Sequence, residues 1–211
     1  MRKRLYSIFD RTGNISEPYR KDPDWDVVQI DIQNGIDFLT FDYVKDLMDN
    51  SPYYIFPQVG IIAATPCDDY AVCGAKHFAA KDADGRTEQS QKLVNRLKEM
   101  IFYFKNFGIL QFWQVENPRT RIHTLNPWLK PITQKFNPCD YAGYDPNPID
   151  SQYNKETWLF GEFNKMIPKP LPPLTKENPG WKNFGGKSLA TKNARSISPK
   201  GYCYAFYDQN N

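Results

Sequence analysis

The chain has 211 residues, 40% of them hydrophobic and 15% aromatic, which suffices for one α/β domain with a full core and is too short for two ordinary ones. Its 27 basic and 24 acidic residues leave a formal net charge of +3, so no overall basic field marks a nucleic-acid binder, and any such binding has to come from a local patch. No apolar run approaches the roughly 20 residues that span a bilayer, and residues 1–5 lead straight into a strand-like segment rather than a signal-peptide core; these features predict a cytoplasmic protein with no membrane partner.

Along the chain, residues 5–9 read as a strand, 10–14 as a turn and 16–19 as a short helix, the opening of a nucleotide-binding unit. Residues 26–32 form a second apolar strand with Asp31 near its carboxyl end; residues 35–39 follow closely, and 41–48 predict a helix. Residues 59–64 are a continuous apolar run of the kind a buried parallel strand needs, ending at Thr65-Pro66-Cys67. Residues 88–107 carry Leu93, Leu97, Met100, Ile101 and Phe104 at helical spacing, with Gly108 as the terminator and 112–116 as the next strand. Such alternation from residue 5 to residue 118 predicts a parallel, doubly wound α/β sheet with ligands at the carboxyl ends of its strands. Beyond it the pattern loosens into aromatic and proline-rich sequence: residues 165–173 read as an extended linker, and a serine cap before Pro199 starts a last helix through 202–207.

Several positions on that edge could carry chemistry. Phe9, Gly13 and Asn14 form a turn whose backbone could approach a cofactor, although a lone glycine after a strand also suits an ordinary turn. Asp31 could accept both ribose hydroxyls of an adenosine compound, and Asp37 its amino group or simply the cap of a turn. Cysteine is most often a packing residue, yet Pro66 and Asp68-Asp69 around Cys67 imply a polar, exposed turn. The two carboxylates oppose a thiolate unless they point away. Glu116 ends a strand beside Asn117-Pro118, where a partly desolvated carboxyl can donate a proton near neutral pH; the plainer reading is a structural glutamate bonded to loop amides. Cys67, Cys73, Cys139 and Cys203 form no C-x-x-C pair, so neither zinc, any other metal, nor a disulfide framework is expected, and a reduced compartment fits best. His77 would serve Cys67 as a base only if the fold brought them together.

Taken in order, these segments resemble the DNA cytosine-5 methyltransferases, specifically short phage and bacterial members without a large target-recognition domain. Residues 9–13 are similar to that family's S-adenosylmethionine motif, Asp31 to its ribose-binding acid and Asp37 to its adenine-contacting acid. Pro66-Cys67 is similar to its proline–cysteine nucleophile motif, Glu116-Asn117 to its glutamate–asparagine motif, and Arg119 or Arg121 to the arginine that braces the target base. Residues 153–161 are similar to its substrate-facing segment, and 185–188 with 195–199 and the aromatic helix to its closing segment. Asn14, Asp68 and Pro118 depart from the usual glycine, glutamine and valine.

The resemblance implies a single doubly wound, Rossmann-like methyltransferase sheet with a loop-rich, proline- and aromatic-rich carboxyl-terminal region. Residues 1–118 would be the cofactor-binding and catalytic core, 119–184 a small substrate-facing region of the same domain, and 185–211 a closing segment packed on the core. It further implies S-adenosylmethionine as cofactor and a flipped cytosine of DNA as substrate, in a phage or restriction-modification setting; no feature supports a partner protein. Catalysis would fall to Cys67, Glu116 and Arg121, and cofactor binding to Phe9, Gly13, Asn14, Asp31, Asp37 and Pro66. Arg119, Arg121, His123, Lys130 and Lys135, interleaved with Trp128 and Phe136, are candidates for a phosphate and base surface, or equally a solvated loop face with some core aromatics. Asp68 and Asp69 keep a second reading open, a methyltransferase-like binding or decoy protein that modifies nothing. A third, methylation of adenine or of RNA, suits the residues less well, because Thr65-Pro66-Cys67-Asp68 does not match the Asn/Asp-Pro-Pro-aromatic motif of adenine enzymes.

Overall fold

The computed structural model describes residues 2–51, 57–174 and 188–211. Strands β1 (Lys3–Ile8), β2 (Trp25–Ile30), β3 (Val59–Ala64) and β4 (Leu110–Pro118) pair in parallel. Strands β5 (Gln134–Phe136) and β6 (Thr157–Glu162) extend them antiparallel, giving one mixed six-stranded sheet of order β2-β1-β3-β4-β6-β5. Because side chains alternate along a strand, the sheet carries two cores. Tyr6, Ile61 and Val115 pack on one face with Leu47 of helix α2 (Tyr43–Asp49) and with Leu97, Met100 and Phe104 of the long helix α4 (Arg86–Asn106). Leu5, Ile62 and Phe112 pack on the other with Tyr19 of α1 (Glu17–Lys21) and with Tyr202 and Phe206 of α7 (Lys200–Asn210). The remaining helices, α3 (Phe78–Ala83), α5 (Ile122–Leu125) and α6 (Leu189–Arg195), are short and lie in the connections. Each fully buried Leu, Ile or Phe of these cores contributes about 1.5–3 kcal/mol, so packing rather than helix propensity holds the short helices in place.

Strand β3 matches the expected run residue for residue, and α4 starts two residues early, between Gly85 and Gly108, both at positive φ. Strand β2 stops at Ile30 because Asp31 caps a 3-10 turn over Ile32–Asn34, its Oδ1 accepting from the Gln33 amide at 2.8 Å. Strand β4 extends to Pro118 because β6 pairs with it as far as Pro118↔Thr157. Two expectations need correction. The stretch read as linker at 165–173 is tied to the domain by main-chain bonds, Lys169 N to Asp140 O and Leu171 N to Cys139 O, each 3.0 Å, which satisfy an otherwise unpaired backbone. Helix α7 begins after Pro199, which is itself the N-cap residue, with no side-chain cap from the serine before it. Of the expected closing segment, residues 185–187 lie outside the described residues. No helix among those described is long and apolar enough to cross a membrane.

Gly161 on β6 has φ +142°, and a Cβ there would come within 2.1 Å of the Trp113 carbonyl oxygen on β4. Since backbone cannot yield as a flexible side chain does, Gly161→Ala is expected to lower stability by at least about 3 kcal/mol. Urea denaturation measures this; an unchanged midpoint would show that the β4–β6 pairing relaxes freely.

Candidate active site

From β1 the chain moves outward to β2 and then returns past β1 to β3, so a crevice opens at the carboxyl ends of β1 and β3. The turn after β1 is unusual. Phe9 has φ +61°, the one positive value outside glycine among the described residues, and Gly13 follows at +72°. The buried Asp10 carboxylate holds the turn by accepting from Ser7 Oγ at 2.8 Å, Ser16 Oγ at 2.7 Å and Ser16 N at 3.3 Å. Phe9 packs edge-on against Phe38, ring centroids 5.4 Å apart. Asn14 Nδ2 donates to Ser198 O at 3.2 Å and so joins the turn to the segment before α7. At the neighbouring strand end Asp31 is only 9% exposed and spends one oxygen on Gln33 N, while Ile32 beside it is 72% exposed. Asp37 accepts from Leu39 N at 2.9 Å, which is the turn-capping geometry. Pro66 lies exposed on the adjoining loop.

Register places Ala64, the last residue of β3, opposite Glu116 of β4. Thr65 and Asn117 lock the two strand ends: Asn117 Nδ2 donates to Thr65 O at 3.1 Å and to Thr65 Oγ1 at 3.0 Å, and Thr65 Oγ1 donates to Glu116 O at 3.3 Å. Glu116 then faces a narrow recess lined by Phe136, Lys155, Thr157, Tyr202 and the strap formed by Ser196, Ile197, Ser198 and Pro199, with space for about one water. Burial raises the Glu116 carboxyl above its ordinary range, opposed by the positive charge of Lys155. Burial likewise pushes the Cys67 thiol up to about 11, with Glu116, Asp68 and Cys73 adding to the rise and Lys155 again opposing it. Both groups keep part of their surface accessible, yet protein surrounds them on most sides. One cation therefore acts on the thiol and the carboxyl together. Lys155 was legible only as a member of the 153–161 segment; it precedes β6, and the antiparallel pairing with β4 carries it to this edge.

No protein-family model and no curated protein sequence matches the chain. The site stands on its own geometry, which also sorts the remaining candidates. Asp69 is turned from the thiol: it pairs with Lys81 at 3.2 Å and accepts from Ser90 of α4 at 2.5 Å. Of the two neighbouring carboxylates only Asp68 adds to the rise at Cys67. Arg121 is committed to Asp82, with bonds of 2.7 and 2.9 Å, donates to Asp69 O at 3.1 Å and stacks 3.7 Å over Phe78. It braces the segment that follows Cys67 and does not line the recess. His77 is exposed at the start of α3.

Of the residues expected at a phosphate and base surface, the aromatic ones and His123 pack inward, while three of the cations stay exposed. Trp128 packs on Trp113 at 5.7 Å, Phe136 is buried against Tyr202 at 4.8 Å, and His123 sits 5.5 and 5.7 Å from Trp158 and Phe160. Arg119, Lys130 and Lys135 stay exposed, the last over the Trp158 ring at 4.5 Å. No group of three or more potential metal ligands exists among the described residues.

The raised Glu116 carboxyl has a consequence for stability. A folded-state pKa above the ordinary 4.5 means that the neutral form is favoured by folding, so this contribution is present below pH 4.5 and is lost as pH rises through the folded value. Glu116→Gln is expected to melt like the wild type near pH 4 and higher at pH 8, by roughly 2–4 °C for each kcal/mol relieved. Calorimetry at the two pH values tests it, and a lower melting temperature at pH 8 would contradict it.

Proposed function

We propose that this chain is an S-adenosylmethionine-dependent methyltransferase acting on C5 of cytosine in DNA, built on a doubly wound, Rossmann-like core. The observation that carries the reading is the β3–β4 register, which sets Glu116 opposite Ala64 and so brings the loop with Cys67, three residues on, to the same sheet edge as the β1/β3 crevice, with Lys155 lining the recess beside Glu116. Doubly wound topology is supported by the helix positions: α1, after β1, packs on one face, whereas α2 and α4, after β2 and β3, pack on the other. Right-handed crossovers distribute helices in this way when the chain reverses direction across a sheet. The residues at the crevice fit the cofactor. The Phe9–Phe38 pair and exposed Ile32 offer apolar contact for a purine, Asp31 an acceptor for ribose hydroxyls, and Gly13 a turn without a side chain.

C5 of cytosine is too weak a nucleophile until a bond to C6 makes the ring an enamine. Cys67 Sγ, as thiolate, would form that bond while the Glu116 carboxyl donates its proton to N3, neutralising the charge that develops. Lys155 stabilises the thiolate before addition. S-adenosylmethionine, when bound, supplies the electrophilic methyl group that C5 takes up. Loss of the C5 proton to solvent then restores the ring double bond, returns Sγ as thiolate and the N3 proton to Glu116. The base must leave the duplex at a cost of a few kcal/mol, and the strap of residues 196–199 must move, because the recess beside Glu116 has room for only about one water.

That narrow recess and the raised thiol favour a second reading, a protein that binds the cofactor and DNA without transfer. Incubation with labelled S-adenosylmethionine and unmodified DNA, followed by digestion to nucleosides, separates the two. 5-Methylcytosine is expected; cofactor binding without a labelled base would support the second, and a labelled adenine would overturn both.

A further inference from the structure

Arg11 stands in the turn between Phe9 and Gly13. Its backbone is fixed from the β2 side, where its carbonyl accepts from Gln29 Nε2 at 3.2 Å and Asn34 Nδ2 at 3.0 Å. The guanidinium is held far less. One terminal nitrogen donates to Asn193 O at 3.2 Å, Nε is buried without an acceptor, and no carboxylate pairs with it among the described residues. Other arginines in the fold do meet carboxylates: Arg4 meets Asp26 and Asp46, and Arg121 meets Asp82. The acids nearest in sequence are engaged elsewhere, Asp10 by Ser7 and Ser16 and Glu17 by Lys21 and Lys200, and Asp31 at the neighbouring strand end accepts from the Gln33 amide.

A buried guanidinium N–H without an acceptor is unfavourable, a neutral carbonyl satisfies the group only in part, and a carboxylate matches its forked donors. The turn that holds Arg11 is also the one that borders the crevice. We infer that Arg11 binds the carboxylate of the cofactor's amino-acid tail, and so selects adenosine ligands that carry a complete amino acid over those that lack the acid group. This rests on the cofactor reading above.

Isothermal titration of the full chain with S-adenosylhomocysteine and with S-adenosyl-3-thiopropylamine, which differs from it by the carboxylate alone, tests the assignment without any methyl transfer. The wild type is expected to prefer S-adenosylhomocysteine by about 10- to 100-fold, the range of a charge-assisted contact. Arg11→Gln should erase that margin while keeping the wild-type affinity for the thiopropylamine, which also reports an intact fold, and Arg11→Lys should keep part of it. A margin absent from the wild type or undiminished in Arg11→Gln would overturn the role of Arg11 alone. Wild-type protein that binds neither ligand would overturn the cofactor reading and the assignment together.

Discussion

Cys67→Ser is expected to lose methyl transfer to DNA by at least roughly 10³-fold, in line with the loss of a nucleophile elsewhere, and to form no covalent adduct with DNA containing 5-fluorocytosine. The hydroxyl that replaces the thiol ionises far less readily, so addition to C6 has no competent nucleophile. The wild-type thiol carries its own signature. With its pKa pushed to about 11 by burial, only about one thiol in a thousand is ionised at pH 8 in the free protein. In a Cys73→Ser background, which removes the exposed neighbour, alkylation of Cys67 should be slow at pH 8 and accelerate about tenfold per pH unit towards pH 11. A rate that levels off below pH 9 would show that the thiol is activated before substrate arrives. Full methyl transfer by Cys67→Ser would remove Cys67 from the chemistry altogether.

Lys155→Met should be the most damaging change among residues that the sequence did not single out individually, lowering transfer by roughly 10²- to 10³-fold. Lys155 is the one cation that opposes the rise at both Cys67 and Glu116. Without it both pKa values go higher: the thiolate becomes rarer, and the alkylation profile of Cys67 shifts to higher pH. Lys155→Arg, which keeps the charge, should leave that profile near wild type. The side chain's described hydrogen bond is to Arg195 O at 3.4 Å, so loss of the head group should leave the fold standing, as near-ultraviolet circular dichroism can check. An unmoved alkylation profile in Lys155→Met would mean that the charge is screened from the thiol.

The strap over the recess ties these expectations to the crevice. Asn14 in the turn after β1 donates to the strap carbonyl of Ser198, and Lys155 beside Glu116 donates to that of Arg195, the residue just before the strap.

Much of the parallel core was legible in the chain because its signals are local. The apolar run of β3, the helical spacing of α4 and the acid at the end of β2 each report burial along a continuous stretch, and parallel strands joined by helices leave no other economical arrangement. Asp31 and Ile32 could be placed near a strand end for the same reason. The antiparallel half was not legible. Strand β5 has three residues, too few for alternation to stand out, while β6 is stabilised by pairing with β4, about 40 residues earlier in sequence, and β5 in turn by pairing with β6. The direction of charged side chains was equally hidden. Asp68 and Asp69 are adjacent and chemically alike, yet Lys81 and Ser90 draw Asp69 away from the thiol. Arg121 likewise turned to Asp82, a partner 39 residues earlier.

By itself, then, the sequence determined an α/β chain with Cys67 and Glu116 close to the carboxyl ends of buried strands, because apolar periodicity and chain-breaking prolines act over a few residues. Only the tertiary structure decided that Lys155 acts on both, that Asp69 faces away, that Arg121 braces a loop and that residues 196–199 close the recess. Those outcomes depend on pairings between distant segments, where Coulomb attraction and the desolvation of buried groups, rather than local propensity, set the arrangement.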